Sequence, residues 1–246
     1  MSTELYMTQT TFFHSEELYN LKSPKEITPI LVQIFQPKSV VDFGCGLGTF
    51  LYCFKEQGVD RVLGMDGPWV DKTLLKKYLK EDEFKETDLQ ERILDVKDRF
   101  DLAISLEVAE HLSPASADRF IENIVSLSDN VVFSAAIPGQ GGQNHINEQW
   151  PTYWIQKFEQ HGYTCHDVLR PYFWNNPDIF WWYKQNILVF TKDKSVDISL
   201  RQQKLYDMVH PELLKAKSDM INGKTAGFYF ALRLFTKVCK KKLGLA

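Results

Sequence analysis

The four cysteines, Cys45, Cys53, Cys165 and Cys239, form no Cys-x-x-Cys pair. A chain of 246 residues also has no need of disulfide staples, so a disulfide-built secreted scaffold is excluded and a reducing cytoplasm is expected. There is no basic excess either. A formal net charge of -3 argues against a partner made of nucleic acid, which calls for a basic face. The amino terminus shows no basic segment followed by an apolar run, so no signal peptide is expected. No apolar run is long enough to span a bilayer, and there is no internal repeat or low-complexity tract.

What is present is a composition that buries a real core, with 44% hydrophobic and 25% charged residues. From Ser39 onward short β-branched or apolar runs alternate with helical patterns, the signature of a parallel sheet covered on both faces. Strands are expected near residues 39–43, 61–65, 84–86, 100–105, 130–136, 163–169 and 185–191. Helices are expected from Thr49, over 70–80, from Pro114 with Ser113 as its cap, and from Pro151 to a stop at Gly162. This divides the chain into a helical arm or lid over 1–38, an α/β domain over 39–192 and a helical extension over 193–246.

The sharpest local signal is Asp42-Phe43-Gly44-Cys45-Gly46-Leu47-Gly48. Glycines placed directly after a parallel strand let backbone N–H groups approach a ligand closely. A Gly-x-Gly-x-Gly loop beginning beside an acid suits a charged aminoacyl sulfonium better than a dinucleotide, and Asp42 would face the cationic end. The next strand ends at Asp66-Gly67, where a carboxylate can accept from a ribose diol, and Asp88-Leu89 after the third strand is placed for an adenine amino group. Read alone, Asp88 is an ordinary solvated loop acid, and Cys45 is a small residue tolerated in the loop.

These motifs, with the run Phe100 to Leu112, resemble the class I S-adenosylmethionine-dependent methyltransferases over roughly residues 35–192. The resemblance implies a Rossmann-like, doubly wound, seven-stranded α/β sheet, mostly parallel, whose last strand runs antiparallel. It also implies cofactor contacts from Asp42, Gly44, Cys45, Gly46, Asp66, Gly67, Asp88, Leu89 and Glu107. A nicotinamide dehydrogenase is disfavoured by the missing dinucleotide spacing.

Glu107, Glu110 and His111 stand at i, i+3 and i+4, so a helix starting there would point all three into the cleft. Two carboxylates and an imidazole suit a divalent cation such as Mg or Mn, with His145 from the loop after the fifth strand as a further ligand. The Glu-x-x-Glu-His run with a later His is similar to that of metal-dependent O-methyltransferases acting on RNA ends or quinone precursors. Glu-His here is also similar to class I enzymes that bind no metal, and in that case His145 or His111 is the base on its own. Both readings stand at the level of sequence.

Residues 170–183 are dense in aromatics with interleaved Arg170, Asn175, Asn176 and Asp178, a composition that either packs as core or grips sugar rings. Trp150, Tyr153 and Trp154 are expected to join that wall. The loop Ile137 to Gly142 and the pattern Trp182 to Asn186 resemble methyltransferases of bacterial surface-polysaccharide biosynthesis, implying a sugar, glycan or polyhydroxylated small-molecule acceptor. Quinone-like, lipid or RNA-end acceptors, and a catalytically silent partner in glycan assembly, are the alternatives.

After Asp219 the chain has no acid. Arg233, Lys237, Lys240 and Lys241 face away from Phe228, Leu232, Phe235 and Val238 on a helix that can rest on an anionic membrane, or dock on the enzyme or a second subunit. The oligomeric state is not legible in the sequence.

Overall fold

The computed structural model describes residues 19–93, 96–192, 208–221 and 227–243. The expectations for 1–18 of the arm and for 193–207 of the extension fall outside the described residues. The chain divides into two compact units, Met1–Asp207 and Met208–Ala246.

In the first unit, helix α1 (Lys22–Phe35) leads into β1 (Ser39–Phe43), α2 (Thr49–Glu56), β2 (Arg61–Asp66), α3 (Lys72–Leu75) and β3 (Phe84–Glu86). Then come β4 (Leu102–Leu106), α4 (Ala117–Leu127), β5 (Asn130–Ser134), α5 (Pro151–Gln160), β6 (Thr164–His166), α6 (Leu169–Phe173), α7 (Trp181–Asn186) and β7 (Leu188–Thr191). The seven strands form one sheet in the order β3-β2-β1-β4-β5-β7-β6. β7 runs antiparallel to both β5 and β6, and the other described pairings are parallel. The order reverses between β1 and β4, and a ligand crevice opens at the carboxyl ends of strands at such a switch point.

β1 reads Ser-Val-Val-Asp-Phe and is buried along its whole length because helices cover both faces of the sheet. Its alternate side chains feed two cores. Val40, with Leu102, Ile104 and Val189, packs against Ile27 and Leu31 of α1 and Phe54 of α2. Val41 and Phe43, with Ala103 and Phe133, pack against Phe120 and Ile124 of α4 and Phe158 of α5.

Several boundaries differ from the periodic pattern. The helix expected over 70–80 is only α3, started by Asp71, whose carboxylate accepts from the N–H groups of Thr73 at 2.8 Å and Leu74 at 3.2 Å. Leu79 then turns inward beneath the glycine loop, where a Cβ on Gly48 would stand 2.6 Å from its side chain. Pro114 opens a 3-10 turn, and α4 proper starts at Ala117; the Ser113 side chain caps no N–H and instead meets the Ser116 hydroxyl at 3.1 Å. Gln185 and Asn186 close α7 rather than opening β7, and Leu169 opens α6 rather than ending β6.

The second unit contains α8 (Pro211–Ile221) and α9 (Phe228–Lys242). Among the described residues no helix is long and apolar enough to cross a membrane.

Candidate active site

The glycine loop leaves β1 and curls over the tip of β2, with the Gly44 N–H donating to the Met65 carbonyl at 2.7 Å. Gly44 has φ +85°, and a Cβ there would stand 2.3 Å from Val108 Cγ2, so both conformation and space demand glycine. Asp66 closes the loop by accepting from Gly46 N–H at 2.8 Å on one oxygen and from Gly67 N–H at 2.7 Å on the other. Asp42 is buried, and loss of water followed by the nearby Asp66 charge pushes its acid well above the usual carboxylate range. Cys45 rests its sulfur against Gly64, and burial, then Asp66 and Asp42, push its thiol up.

A cleft of about 380 Å³ runs along the carboxyl edge of the sheet from Asp66 and Trp69, past Asp88 and Leu89, to Glu110, His111 and His145. Trp69 lies over Gly67, whose added Cβ would meet the indole at 2.3 Å. Asp88 is exposed and accepts from the Gln90 N–H at 2.9 Å, a self-capped turn that holds the carboxylate at the rim. Leu89 is buried beside it. A second recess, sharing Tyr19, Gly44, Leu106 and Tyr183 with the cleft, reaches Asp42, Cys45 and Thr49. The Tyr19 and Tyr183 phenols are pushed up, each by burial first; acids at Asp66 and Glu110 add to the effect at Tyr19.

Beyond β4 the chain departs from the expected helix. Glu107 takes φ +58°, a left-handed conformation that costs a non-glycine residue roughly 1–3 kcal/mol and persists only where the surroundings impose it. Here its N–H donates to the Ser134 carbonyl at 3.0 Å, at the end of β5. Its carboxylate accepts from Gln140 Nε2 at 2.8 Å and from Asn186 Nδ2 at 3.0 and 3.2 Å. Only a single 3-10 turn, Ala109–His111, follows. The i, i+3, i+4 argument for three converging ligands therefore fails for Glu107. The ligand-capable atoms that do converge belong to Glu110, His111 and His145, all within 4.8 Å of one another.

That convergence rests on a docked loop. The N–H groups of Ile146 and Asn147 both donate to the Glu110 carbonyl, at 2.9 and 3.0 Å, and this sets His145 edge-to-face on His111 with centroids 4.8 Å apart. His145 Nδ1 lies 2.9 Å from Glu148 Oε1, and its Nε2 lies against Gly142, where an added Cβ would stand 2.2 Å away. Burial raises the Glu148 acid, but hydrogen bonds from His145, Gly141 and Gly139 outweigh it and hold the group below the usual range. Glu110 is the opposite case. It is wholly buried, neither carboxylate oxygen has a well-formed hydrogen bond, and burial followed by the Glu107 charge pushes its acid well up.

The polar clamp on Glu107 was not among the expected site residues, although Gln140 and Asn186 both sit in the two motifs singled out for their surface-polysaccharide resemblance. Asn186 Nδ2 and Gln185 Nε2 also donate to Gln140 Oε1, at 2.9 and 3.1 Å. Beneath them Arg170, fully buried, pairs with Asp167 through two bonds of 2.8 and 2.6 Å and donates to the Gln185 carbonyl at 3.2 Å. Tyr19 gave no signal in the sequence. Of the aromatics, Trp181, Trp182 and Tyr183 line the cleft. Phe173 and Trp154 are core residues, Tyr172 is 60% exposed, and Tyr153 packs on Trp154 rather than on the cleft.

The sheet order, the antiparallel β7 and the glycine loop at the switch point define a class I S-adenosylmethionine-dependent methyltransferase. A family model described as a methyltransferase domain matches residues 16–176, and the chain belongs to that family. Among solved structures, the sugar N-methyltransferase KedS8 from Streptoalloteichus is 12% identical, with a TM-score of 0.57, 79% of this chain and 98% of that one being covered. Magnesium protoporphyrin IX methyltransferase from Synechocystis, solved with bound S-adenosylhomocysteine, is 16% identical with a TM-score of 0.52, covering 69% and 82%. The methyltransferase domain of bacterial CtHen1 is 18% identical with a TM-score of 0.50, covering 70% and 100%. At these identities the likeness is one of fold. No curated protein matches the chain.

Proposed function

We propose that the enzyme methylates a hydroxyl oxygen of a sugar, glycan or other polyhydroxylated acceptor, with Glu110, His111 and His145 holding a divalent cation, Mg or Mn, beside it. The observation that carries this reading is the convergence of those three side chains within 4.8 Å at the acceptor end of the cleft. Glu110 supplies the fit test: a buried carboxylate with no well-formed hydrogen bond and a second acid nearby is costly as an anion unless a cation sits against it. The imidazole of His145, oriented by Glu148, is the donor type that such an ion takes. When bound, the ion would lower the pKa of a coordinated hydroxyl.

At the other end, Asp66 accepts from the ribose hydroxyls, Asp88 and Leu89 flank the adenine, Gly46 continues the loop beneath the donor, and Asp42 neutralises the donor's amino group through the recess it shares with Gly44 and Cys45. The donor brings its own electrophile, a methyl on a sulfonium. The chain's task is to align an acceptor oxygen in line with it and to take up the proton. Where the ion is bound, both imidazoles are its ligands and the coordinated hydroxyl gives its proton to solvent; without the ion, His145 or His111 receives that proton as the new C–O bond forms and S-adenosylhomocysteine is left behind. Glu107, held by Gln140 and Asn186 between the two ends, positions rather than reacts. Trp181 and Trp182, with the amide of Gln143, offer the apolar faces and hydrogen-bonding groups that a sugar ring uses.

The test is methyl transfer from S-adenosylmethionine to a panel of sugar nucleotides and polyols, read by mass spectrometry with and without EDTA, alongside a quinol, a lipid and an RNA end. A mass gain on a sugar hydroxyl that EDTA abolishes supports the reading. Activity indifferent to EDTA removes the ion, and transfer confined to one of the other acceptors removes the sugar.

A further inference from the structure

We propose that α9 is a peripheral anchor that lays the chain on an anionic lipid surface. With about 3.6 residues per turn, Ala231, Leu232, Leu234, Phe235 and Val238 share one half of the helix, while Arg233, Lys237, Lys240 and Lys241 share the other. Both halves are exposed, the apolar one included: Leu232, Leu234, Phe235 and Val238 are 46%, 53%, 66% and 49% exposed. A continuous row of large apolar side chains in water marks a docking surface. Its charge chooses the occupant. Lys242 adds to the basic residues at the end of α9, and no acid follows Asp219 in the sequence.

A nucleic acid would answer the basic half and leave the apolar half in water. A second copy would answer the apolar half and bring two basic helices together at a cost in repulsion. An anionic bilayer answers both, taking the apolar half into the acyl boundary and the cations at the headgroups. At 15 residues the helix is about 22 Å long and meets no criterion for crossing the membrane, so it lies in the interface. This reading is independent of the acceptor and of the ion.

The experiment is co-sedimentation of the full chain with vesicles of phosphatidylcholine alone and of phosphatidylcholine mixed with phosphatidylglycerol, across a salt titration. Binding is expected only to the mixed vesicles and should fall as salt rises. The triple variant K240Q/K241Q/K242Q should bind roughly a hundredfold more weakly, from about 1 kcal/mol per surface lysine. Phe235→Ser should weaken binding on its own, with the affinity for S-adenosylhomocysteine unchanged in both variants. If the triple variant fails to fold, the salt titration of the unaltered chain decides. Binding that ignores lipid charge, or no binding to either vesicle, overturns the proposal. So does sedimentation velocity showing a dimer that Phe235→Ser dissolves.

Discussion

The donor end and the acceptor end of the cleft are built on opposite principles. Around the glycine loop the backbone groups are matched: Gly44 N–H meets the Met65 carbonyl, and Gly46 and Gly67 N–H meet Asp66, so that steric fit governs the loop while the buried Asp42 carries its raised acid beside it. At the acceptor end the backbone is equally well held, yet the acids are not matched: Glu107 has its clamp while Glu110 is buried without a comparable partner. The contrast teaches that the backbone of the donor end is finished by folding, with Asp42 alone left for the ligand, whereas the acceptor end depends on what it binds for the balance of its acids.

The largest expected effect would break the frame common to both Glu107 clamps. Arg170→Ala strands the Asp167 carboxylate and releases the Gln185 carbonyl, and losing one partner of a buried pair costs about 3–5 kcal/mol. Chemical denaturation should show that loss, and a change below about 1 kcal/mol would mean that water reaches the pair.

Next comes a purely steric challenge to the donor end. Gly44→Ala combines a 2.3 Å contact with a left-handed φ, a total of about 3 kcal/mol, or roughly a hundredfold in affinity for S-adenosylhomocysteine by calorimetry. Manganese binding at the other end should be untouched, and parallel loss of both would erase the contrast.

Glu148→Gln sharpens the acceptor side. It removes the carboxylate that orients His145, and loss of such an orienting partner typically weakens metal affinity about 10–100-fold. A manganese titration followed by electron paramagnetic resonance measures this, with S-adenosylhomocysteine affinity as the unchanged control.

The smallest effect concerns protons. Asp42 has a raised acid in the free enzyme, and a cationic ligand amino group favours its anion, so binding should release a proton. Affinity for S-adenosylhomocysteine should then rise with pH below the raised value, by at most about tenfold per pH unit, and flatten above it. Calorimetry in two buffers of different ionisation enthalpy counts the proton directly; uptake instead of release would place the amino group elsewhere.

The contrast between the two ends also explains what the sequence could disclose. The glycine loop, Asp66 and the alternation that made β1, β4 and β5 are local patterns, and the fold they imply is the fold observed. Glu107 depends on Gln140, 33 residues away, and on Asn186, 79 residues away, and no local period encodes such contacts. For that reason a helical spacing rule placed Glu107 with Glu110 and His111, while the left-handed turn at Glu107 set it apart. The same limit applies to α3, where Leu79 leaves helical register to pack beneath Gly48.

Cys45 is the neighbour that the methyl donor would choose first. A sulfonium alkylates the best nucleophile within reach, and among protein side chains a thiolate has few rivals. Pressed against Gly64, out of water and between two acids, Cys45 stays protonated. With the donor seated over the loop as proposed, the same burial that fits this small side chain into its turn also protects the enzyme from methylating itself.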